Sequence, residues 1–190
     1  MTKKHMHHGK TSKNILSAGE VLKATQLKLG DSFLDAGCGD GYISLEASSI
    51  VGDNGNVYAL DVYPESIETV KKEIKNRNLD NIVALLVDIT KPIQLDVEII
   101  DIVLMANVLH GFVAEGEVEE VMNNISRVLK PGGVFAVVEF RKVEGNIGPP
   151  YDVKLSPEDV SNILLEHGYD IGDIQLVGKY HYIVNGVKKT

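Results

Sequence analysis

Ser32-Phe-Leu-Asp-Ala-Gly-Cys-Gly-Asp-Gly-Tyr42 is the stretch from which the rest of the chain can be placed. Phe33 and Leu34 favour a strand, Gly37, Gly39 and Gly41 follow at every second position, and Ile43, Ala47, Ile50 and Val51 then recur at helical spacing. The pattern predicts a strand, a glycine turn and a helix. The glycines let the main chain approach a bound molecule closely, and the start of the helix aims unpaired N–H groups at it.

Working outward, Val21, Leu22, Ala24 and Leu27 predict a helix over Ser17 to Leu29 with Gly30 as its stop. Residues 1–13 are polar, carry His5, His7 and His8 beside four lysines, and read as a flexible arm with no metal site. Residues 14–190 read as one domain. After the glycine loop and its helix, Asn56 to Asp61 is a second strand ending in an acid. Pro64 opens a helix with Ile67, Val70 and Ile74 on one face. Ile82 to Val87 is a third strand, followed by Asp88, and Ile99 to Met105 is a fourth, followed by Ala106-Asn-Val-Leu-His110. A long amphipathic helix carrying Val118, Val121, Met122, Ile125, Val128 and Leu129 stops at Lys130-Pro-Gly-Gly133, and Val134 to Phe140 is the fifth strand. Ser156 and Pro157 start a further helix, and Ile171 to Val177 and Lys179 to Val187 close the chain as two strands. Asn185-Gly186 reads as a frayed end or a bulge rather than a hairpin turn.

Strands that are apolar throughout and alternate with helices indicate a parallel sheet covered on both faces, with ligands bound beyond the carboxyl ends of the strands. Asp35, Asp61, Asp88, Asn107, His110 and Glu139 all fall on that edge. Composition narrows the chemistry. With 190 residues, 44% hydrophobic and 24% charged, the chain is large enough for a sizeable core. A net charge of −8 with no dense basic run after residue 13 disfavours nucleic acid as a partner. No apolar run is long enough for a membrane span and no signal peptide is visible, which predicts a cytoplasmic protein. The single cysteine, Cys38, excludes an intrachain disulfide and a thiolate metal cage, and it reads as a small side chain packed under the loop. The oligomeric state is left open.

The spacing at the loop is Gly-x-Gly-x-Gly, and Tyr42 stands where a dinucleotide fingerprint has its third glycine. Asp35 and Asp40 would repel a pyrophosphate, by about 1 kcal/mol per pair at ~4 Å in water and several-fold more near a protein surface. They would attract a ligand carrying an ammonium and a sulfonium. Leu34-Asp-Ala-Gly-Cys-Gly-Asp-Gly41 resembles motif I of the class I S-adenosylmethionine-dependent methyltransferases. The resemblance extends over about residues 15 to 187, in the flavour of the ubiquinone-biosynthesis-like branch acting on small molecules. It implies a Rossmann-like, doubly wound, mostly parallel seven-stranded sheet with helices on both faces and the last strand antiparallel. It also implies S-adenosylmethionine as cofactor and S-adenosylhomocysteine as product.

Residue by residue, the resemblance implies a cofactor site of Asp35, Gly37, Cys38, Gly39, Gly41 and Tyr42 in the loop, with Asp61 on the ribose hydroxyls and Val62 beside it. Asp88 and the Ile89 amide would meet the adenine edge, and Asn107 would complete the set. Two plainer readings stand beside these: Asp61 as a neighbour of a helix N-cap, and Asp88 as a strand-ending turn residue. Methyl transfer from a sulfonium requires alignment of nucleophile, methyl and sulfur in a dry pocket, and a weakly acidic nucleophile also needs a base. His110 is the first candidate for that base, with packing as its alternative role, and Glu139 is the second. Tyr180 and His181 follow. Gly148-Pro-Pro-Tyr151 resembles an amino-group methyltransferase signature but follows strand five instead of strand four, so it reads as a shaper of the substrate-side loop. The helix over Ser17 to Leu29 and the loop Gly145 to Leu155 are expected to cover the strand ends, with Tyr42, His110, Tyr151 and Tyr180 lining the cavity. The competing functions are an NAD(P)-dependent Rossmann reductase and a non-catalytic S-adenosylmethionine-binding module.

Overall fold

A computed structural model describes residues 13–190. Apart from Lys13, the expected amino-terminal arm with its three histidines lies outside the described residues. Seven strands form one sheet: β1 (Ser32–Ala36), β2 (Asn56–Asp61), β3 (Ile82–Leu86), β4 (Ile100–Ala106), β5 (Leu129–Phe140), β6 (Tyr169–Val177) and β7 (His181–Lys188). Their order is β3-β2-β1-β4-β5-β7-β6. β1 pairs in parallel with both β2 and β4, β2 with β3, and β4 with β5, whereas β7 runs antiparallel between β5 and β6. The order reverses between β1 and β4, which is where a doubly wound sheet opens a crevice beyond its carboxyl ends.

Among the described residues six helices cover the two faces: α1 (Ala18–Ala24), α2 (Tyr42–Val51), α3 (Pro64–Arg77), α4 (Leu109–Glu115), α5 (Val118–Val128) and α6 (Pro157–Glu166). Side chains alternate along each strand, so each face has its own core. On one face Phe33, Val57, Ile102, Ala136 and Ile183 meet Val21 and Leu22 of α1 and Ile43 and Ala47 of α2. Ile67 and Val70 of α3 pack nearby on Ala59 and Ala84. On the other face Leu34, Val103, Phe135 and Tyr182 meet Leu109 of α4, Val121 and Ile125 of α5, and Val160 and Leu164 of α6.

Several elements differ from their sequence reading. α1 ends at Ala24 because the Thr25 hydroxyl donates to the Leu22 carbonyl and Gln26 turns to φ +61°. α4 is an additional short helix ahead of α5. β5 starts at Leu129, before the Lys130-Pro-Gly-Gly turn, because the ladder with β4 resumes across an irregularity between Ile100 and Ile102. Gly133 permits this: a Cβ there would lie 2.9 Å from the Lys130 carbonyl oxygen and 3.0 Å from that of Asp101. Asn185 and Gly186 are neither frayed nor bulged. They pair with β5, in a strand that lies between β5 and the edge strand β6, and the register shift is in β6, between Ile171 and Ile174. Ser156 and Asp159 cap α6 reciprocally, the Asp159 N–H donating to Ser156 Oγ at 3.1 Å and the Ser156 N–H to Asp159 Oδ2 at 2.7 Å.

Candidate functional site

The loop after β1 takes the conformation its glycines allow, with φ of +88°, +55° and +78° at Gly37, Gly39 and Gly41. The three serve different ends. A Cβ on Gly37 would meet Val108 Cγ2 at 2.7 Å, and one on Gly41 would meet Val70 Cγ2 at the same distance, so both let the loop pass close to its neighbours. A Cβ on Gly39 would meet nothing within 4 Å, so this middle glycine borders open space. The Gly37 and Cys38 N–H groups donate to the Leu60 carbonyl at 2.8 Å, tying the loop to the end of β2.

Carboxylates surround this loop. Asp35 is buried on the α2 side of the sheet, where it accepts a 2.6 Å bond from the Ser44 hydroxyl. Burial pushes its carboxyl up to about 7; the Ser44 bond opposes the rise, and the nearby Asp61 and Asp40 add to it. Asp61 braces the loop, accepting from the Gly39 N–H on Oδ2 and the Tyr63 N–H on Oδ1, both at 2.8 Å. Asp40 accepts from the Tyr42 N–H at 3.2 Å, and Tyr42 Oη accepts from the Ala18 N–H, which seats α1 against the loop. The Cys38 thiol is held well above its ordinary range, first by burial and then by Asp35 and Asp61. It packs with Ala59, Ile67, Val70 and Ala84 under the loop. Val62 follows Asp61 and is partly exposed.

Asp88 is exposed, and its Oδ1 accepts from both the N–H and the hydroxyl of Thr90, at 3.0 and 2.6 Å. Ile89 is buried beside it and accepts from Asn124 Nδ2 through its carbonyl at 2.9 Å. Asn107, just past β4, has a left-handed backbone with φ +60°, and its N–H donates to the Val138 carbonyl at 2.8 Å. Non-glycine residues in this region concentrate at functional sites, and this one sits at the crevice where the strand order reverses.

Across the crevice the sheet presents a second arrangement on its opposite face. His110 and Glu139 are each only 1% exposed, and His110 Nδ1 lies 2.7 Å from Glu139 Oε2. The other carboxylate oxygen accepts the His110 N–H at 3.0 Å, so Glu139 also caps the start of α4, where Val108 provides no side-chain bond. With Glu139 ionised, Nδ1 carries the shared proton and Nε2 carries the lone pair. His181 belongs to neither arrangement. Among the described residues its ring nitrogens have no hydrogen-bond partner, burial lowers its pKa to about 4, and its ring packs on Phe140 with centroids 4.3 Å apart.

The expected cavity is only partly as anticipated. Tyr180 lines a cavity of about 150 Å³ beyond β5, together with Phe140, Arg141, Val143 and Lys154. Tyr151 is half exposed, Tyr42 is turned under α1, and His110 is buried with Glu139. Gly148 of the Pro-Pro-Tyr loop has φ +85°, and a Cβ there would come within 2.6 Å of the Phe140 ring, so this glycine lets the loop fold onto the end of β5. A larger cavity, about 410 Å³, opens at the amino edge of the sheet, but its Lys130 and Asp101 already pair at 2.6 Å. Two contributors escaped the sequence reading. Ser44 differs from other helical serines only by lying in the first turn of α2, over β1. Lys154 carries no local signal. Among the described residues no group of three or more His, Cys, Asp or Glu side chains is placed to hold a metal, and no helix is long and apolar enough to cross a membrane.

A family described as a methyltransferase domain matches residues 27–169, a span that includes the glycine loop, Asp61, Asn107, His110 and Glu139. The chain belongs to the methyltransferase-domain family. A solved structure of an S-adenosylmethionine-dependent methyltransferase from Aquifex aeolicus superposes with a TM-score of 0.84, is 29% identical and covers 94% of each chain. A demethylmenaquinone methyltransferase from Lactobacillus johnsonii is 28% identical over 133 residues, 66% of this chain and 53% of that protein. A probable cobalt-precorrin-6B C(15)-methyltransferase from Sulfolobus acidocaldarius is 39% identical over 62 residues, 33% of this chain and 32% of that protein. The matches thus cover about a third and about half of these two curated relatives. The seven-stranded order with one antiparallel strand is the architecture that the resemblance of the glycine loop implied.

Proposed function

We propose that this methyltransferase-domain protein transfers a methyl group from S-adenosylmethionine to a small-molecule acceptor, with His110 as the base that takes the acceptor's proton. The observation that carries this reading is a juxtaposition at one crevice. A glycine loop bordered by Asp35, Asp40 and Asp61 and a buried His110–Glu139 pair lie at the same carboxyl edge of the sheet, on either side of the point where the strand order reverses.

The loop suits that cofactor on the structure's own terms. Gly39 borders open space, and Asp35 is a buried carboxylate with no cation paired to it among the described residues, so a ligand with positive charge gains where a pyrophosphate would be repelled. Asp35 and Asp40 would hold the ammonium of the amino-acid end. Asp61 would meet the ribose hydroxyls through the second lone pairs of oxygens already used to brace the loop, while Asp88 and Ile89 would flank the base. When bound, the cofactor supplies an electrophilic methyl group on a sulfonium. Cys38, its thiol held protonated, takes no part as a nucleophile.

On the other side, Glu139 fixes the imidazole's tautomer and orientation, so the Nε2 lone pair accepts a proton while Nδ1 stays bonded to the carboxylate. An oxygen or nitrogen acceptor with a dissociable proton therefore fits better than one that needs no base. Tyr42 in place of the third dinucleotide glycine argues against the NAD(P)-dependent reductase, and a purely binding module gives no reason to bury a bonded His–Glu pair. A cytoplasmic site of action and an acceptor other than nucleic acid belong to the same proposal, supported by the net charge of −8. Titration calorimetry with S-adenosylhomocysteine and with NADH tests it. Binding of the former alone is expected, and binding of NADH with none of S-adenosylhomocysteine would end the reading.

A further inference from the structure

The loop between β5 and α6 folds back over the carboxyl end of the sheet and is fastened at both ends. The Arg141 N–H donates to the Tyr180 carbonyl at 2.8 Å, and Tyr182 Oη donates to the Leu155 carbonyl at 2.8 Å. Tyr182 is paired in register with Glu139, so the second fastening is next to the His–Glu pair. Between these ties lies the cavity of about 150 Å³, bounded by Phe140 and Tyr180 and by Arg141, Lys154, Lys179 and Glu144. Three cations and one carboxylate around one small space stand out in a chain of net charge −8.

Lys154 is the residue that needs explaining. It is 3% exposed, and among the described residues its Nζ donates to one acceptor, the Val143 carbonyl, at 2.9 Å. No ion pair among the described residues involves it. An ammonium has three protons to donate, and burying one with a single neutral acceptor is unfavourable unless a negative group completes the set. The nearby cations do not fill that need. Arg141 Nη1 donates to the Lys179 carbonyl at 3.2 Å, and Lys179 Nζ lies 5.2 Å over the Tyr180 ring, so both frame the cavity without neutralising it. Lys142, next in the chain, is already paired with Asp159 at 3.3 Å.

We propose that this cavity receives an anionic group of the methyl acceptor, a carboxylate or a phosphate, with Lys154 as its buried counter-ion and Arg141 and Lys179 at the rim. This rests on the methyl-transfer reading only for the identity of the ligand as the acceptor; the anion site itself is independent of it. The cavity begins at Phe140, one residue past Glu139, so it opens at the same carboxyl end of β5 as the His–Glu pair. The cofactor half is lined by acids and the acceptor half by bases, so each ligand is drawn to its own side.

The test uses the full chain saturated with S-adenosylhomocysteine, whose binding is measured first and reports on the methyltransferase reading alone. Benzoate, inorganic phosphate and the neutral benzamide are then titrated by calorimetry into the parent, Lys154→Met, Lys154→Arg and, as a distant control, Lys28→Met. One of the anions is expected to bind the parent at least about tenfold more tightly than benzamide, which corresponds to ~1.4 kcal/mol. Lys154→Met should lose that preference, Lys154→Arg should keep most of it, and Lys28→Met should behave as the parent. Preference for benzoate identifies a carboxylate acceptor and preference for phosphate a phosphorylated one. Equal binding of benzoate, phosphate and benzamide, no binding of either anion, or undiminished anion binding by a folded Lys154→Met protein each overturns the proposal, whatever S-adenosylhomocysteine does. If Lys154→Met fails to fold, Arg141→Gln and Lys179→Gln, both at exposed rim positions, should each weaken the anion several-fold, and parent-like affinity in both overturns it.

Discussion

Beyond β1 and β2 the carboxyl edge holds Asp35, Asp40 and Asp61 around a glycine loop, whereas beyond β5 and β7 it holds Arg141, Lys154 and Lys179 around a folded-back loop. The first region is built from backbone: positive-φ glycines, N–H groups and carboxylates that brace them. The second is built from side chains brought together by non-local ties, such as Tyr182 to Leu155 and His110 to Glu139. A backbone cradle suits a ligand that never changes, while side chains on a loop can be exchanged without disturbing the sheet. Three measurements break or sharpen this division.

The largest effect is expected at the side-chain region. His110→Asn keeps a donor toward Glu139 but removes the proton acceptor, so kcat should fall by about 100- to 10,000-fold, the usual span for general-base loss. Affinity for S-adenosylhomocysteine should stay near that of the parent. Glu139→Gln should also lower kcat and shift the pH–rate profile, because it alters the imidazole through its partner. Parent-like turnover in His110→Asn would remove the base and erase the functional contrast between the regions.

Next in size is Asp61→Ala. Loss of charge-assisted bonds to the ribose should weaken the cofactor product by roughly 1.5–3 kcal/mol in calorimetry. The structure adds a second consequence, since the Gly39 and Tyr63 N–H groups lose their acceptor and the melting temperature should drop as well. A stability loss with unchanged affinity would make Asp61 a brace only.

The smallest effect comes from Asp35. Its ionised form attracts a cation, so affinity for S-adenosylhomocysteine should rise with pH through about 7, where the buried carboxyl titrates. The rise is limited to about tenfold per pH unit for one proton. The sign for stability is opposite. A carboxyl raised from 3.8 to about 7 holds its proton more tightly in the folded protein, so stability without ligand should fall as pH climbs between those values. Asp35→Asn should abolish both slopes, and a pH-independent affinity in the parent would take Asp35 out of cation recognition.

The two regions also differed in how far the sequence revealed them. The glycine loop and the acids at the ends of β1 and β2 were readable because each depends on near neighbours: glycine at the positive-φ positions, a carboxylate where a strand ends. The whole parallel core followed from its apolar runs. α4 was not readable because its cap is Glu139, 29 residues away, and not a residue beside Val108. The long β5 was hidden because Pro131-Gly-Gly signals a turn locally, whereas the pairing with β4 carries the ladder across it. Lys154 looked like any loop lysine, and only the way residues 141–155 fold back on themselves and onto Phe140 buries it.

The position of β7 has a consequence for how the molecule is made. The strand formed by residues 181–188 is inserted between β5 and β6, so β5 can join the sheet through β4 but β6 reaches its place only once β7 has formed. During vectorial synthesis the β1–β2–β3 unit is complete once residue 86 is made, about a hundred residues before β7. A nascent chain can therefore shape the glycine loop early, but Glu139 gains its neighbour Tyr182, and the loop over it gains its fastening at Leu155, only with the final strand. A chain cut short before β7 would keep the residues of both regions but leave β6 without the strand it pairs with and the loop over Glu139 without its tie from Tyr182, so the acceptor side depends on β7 for its shape and the cradle does not.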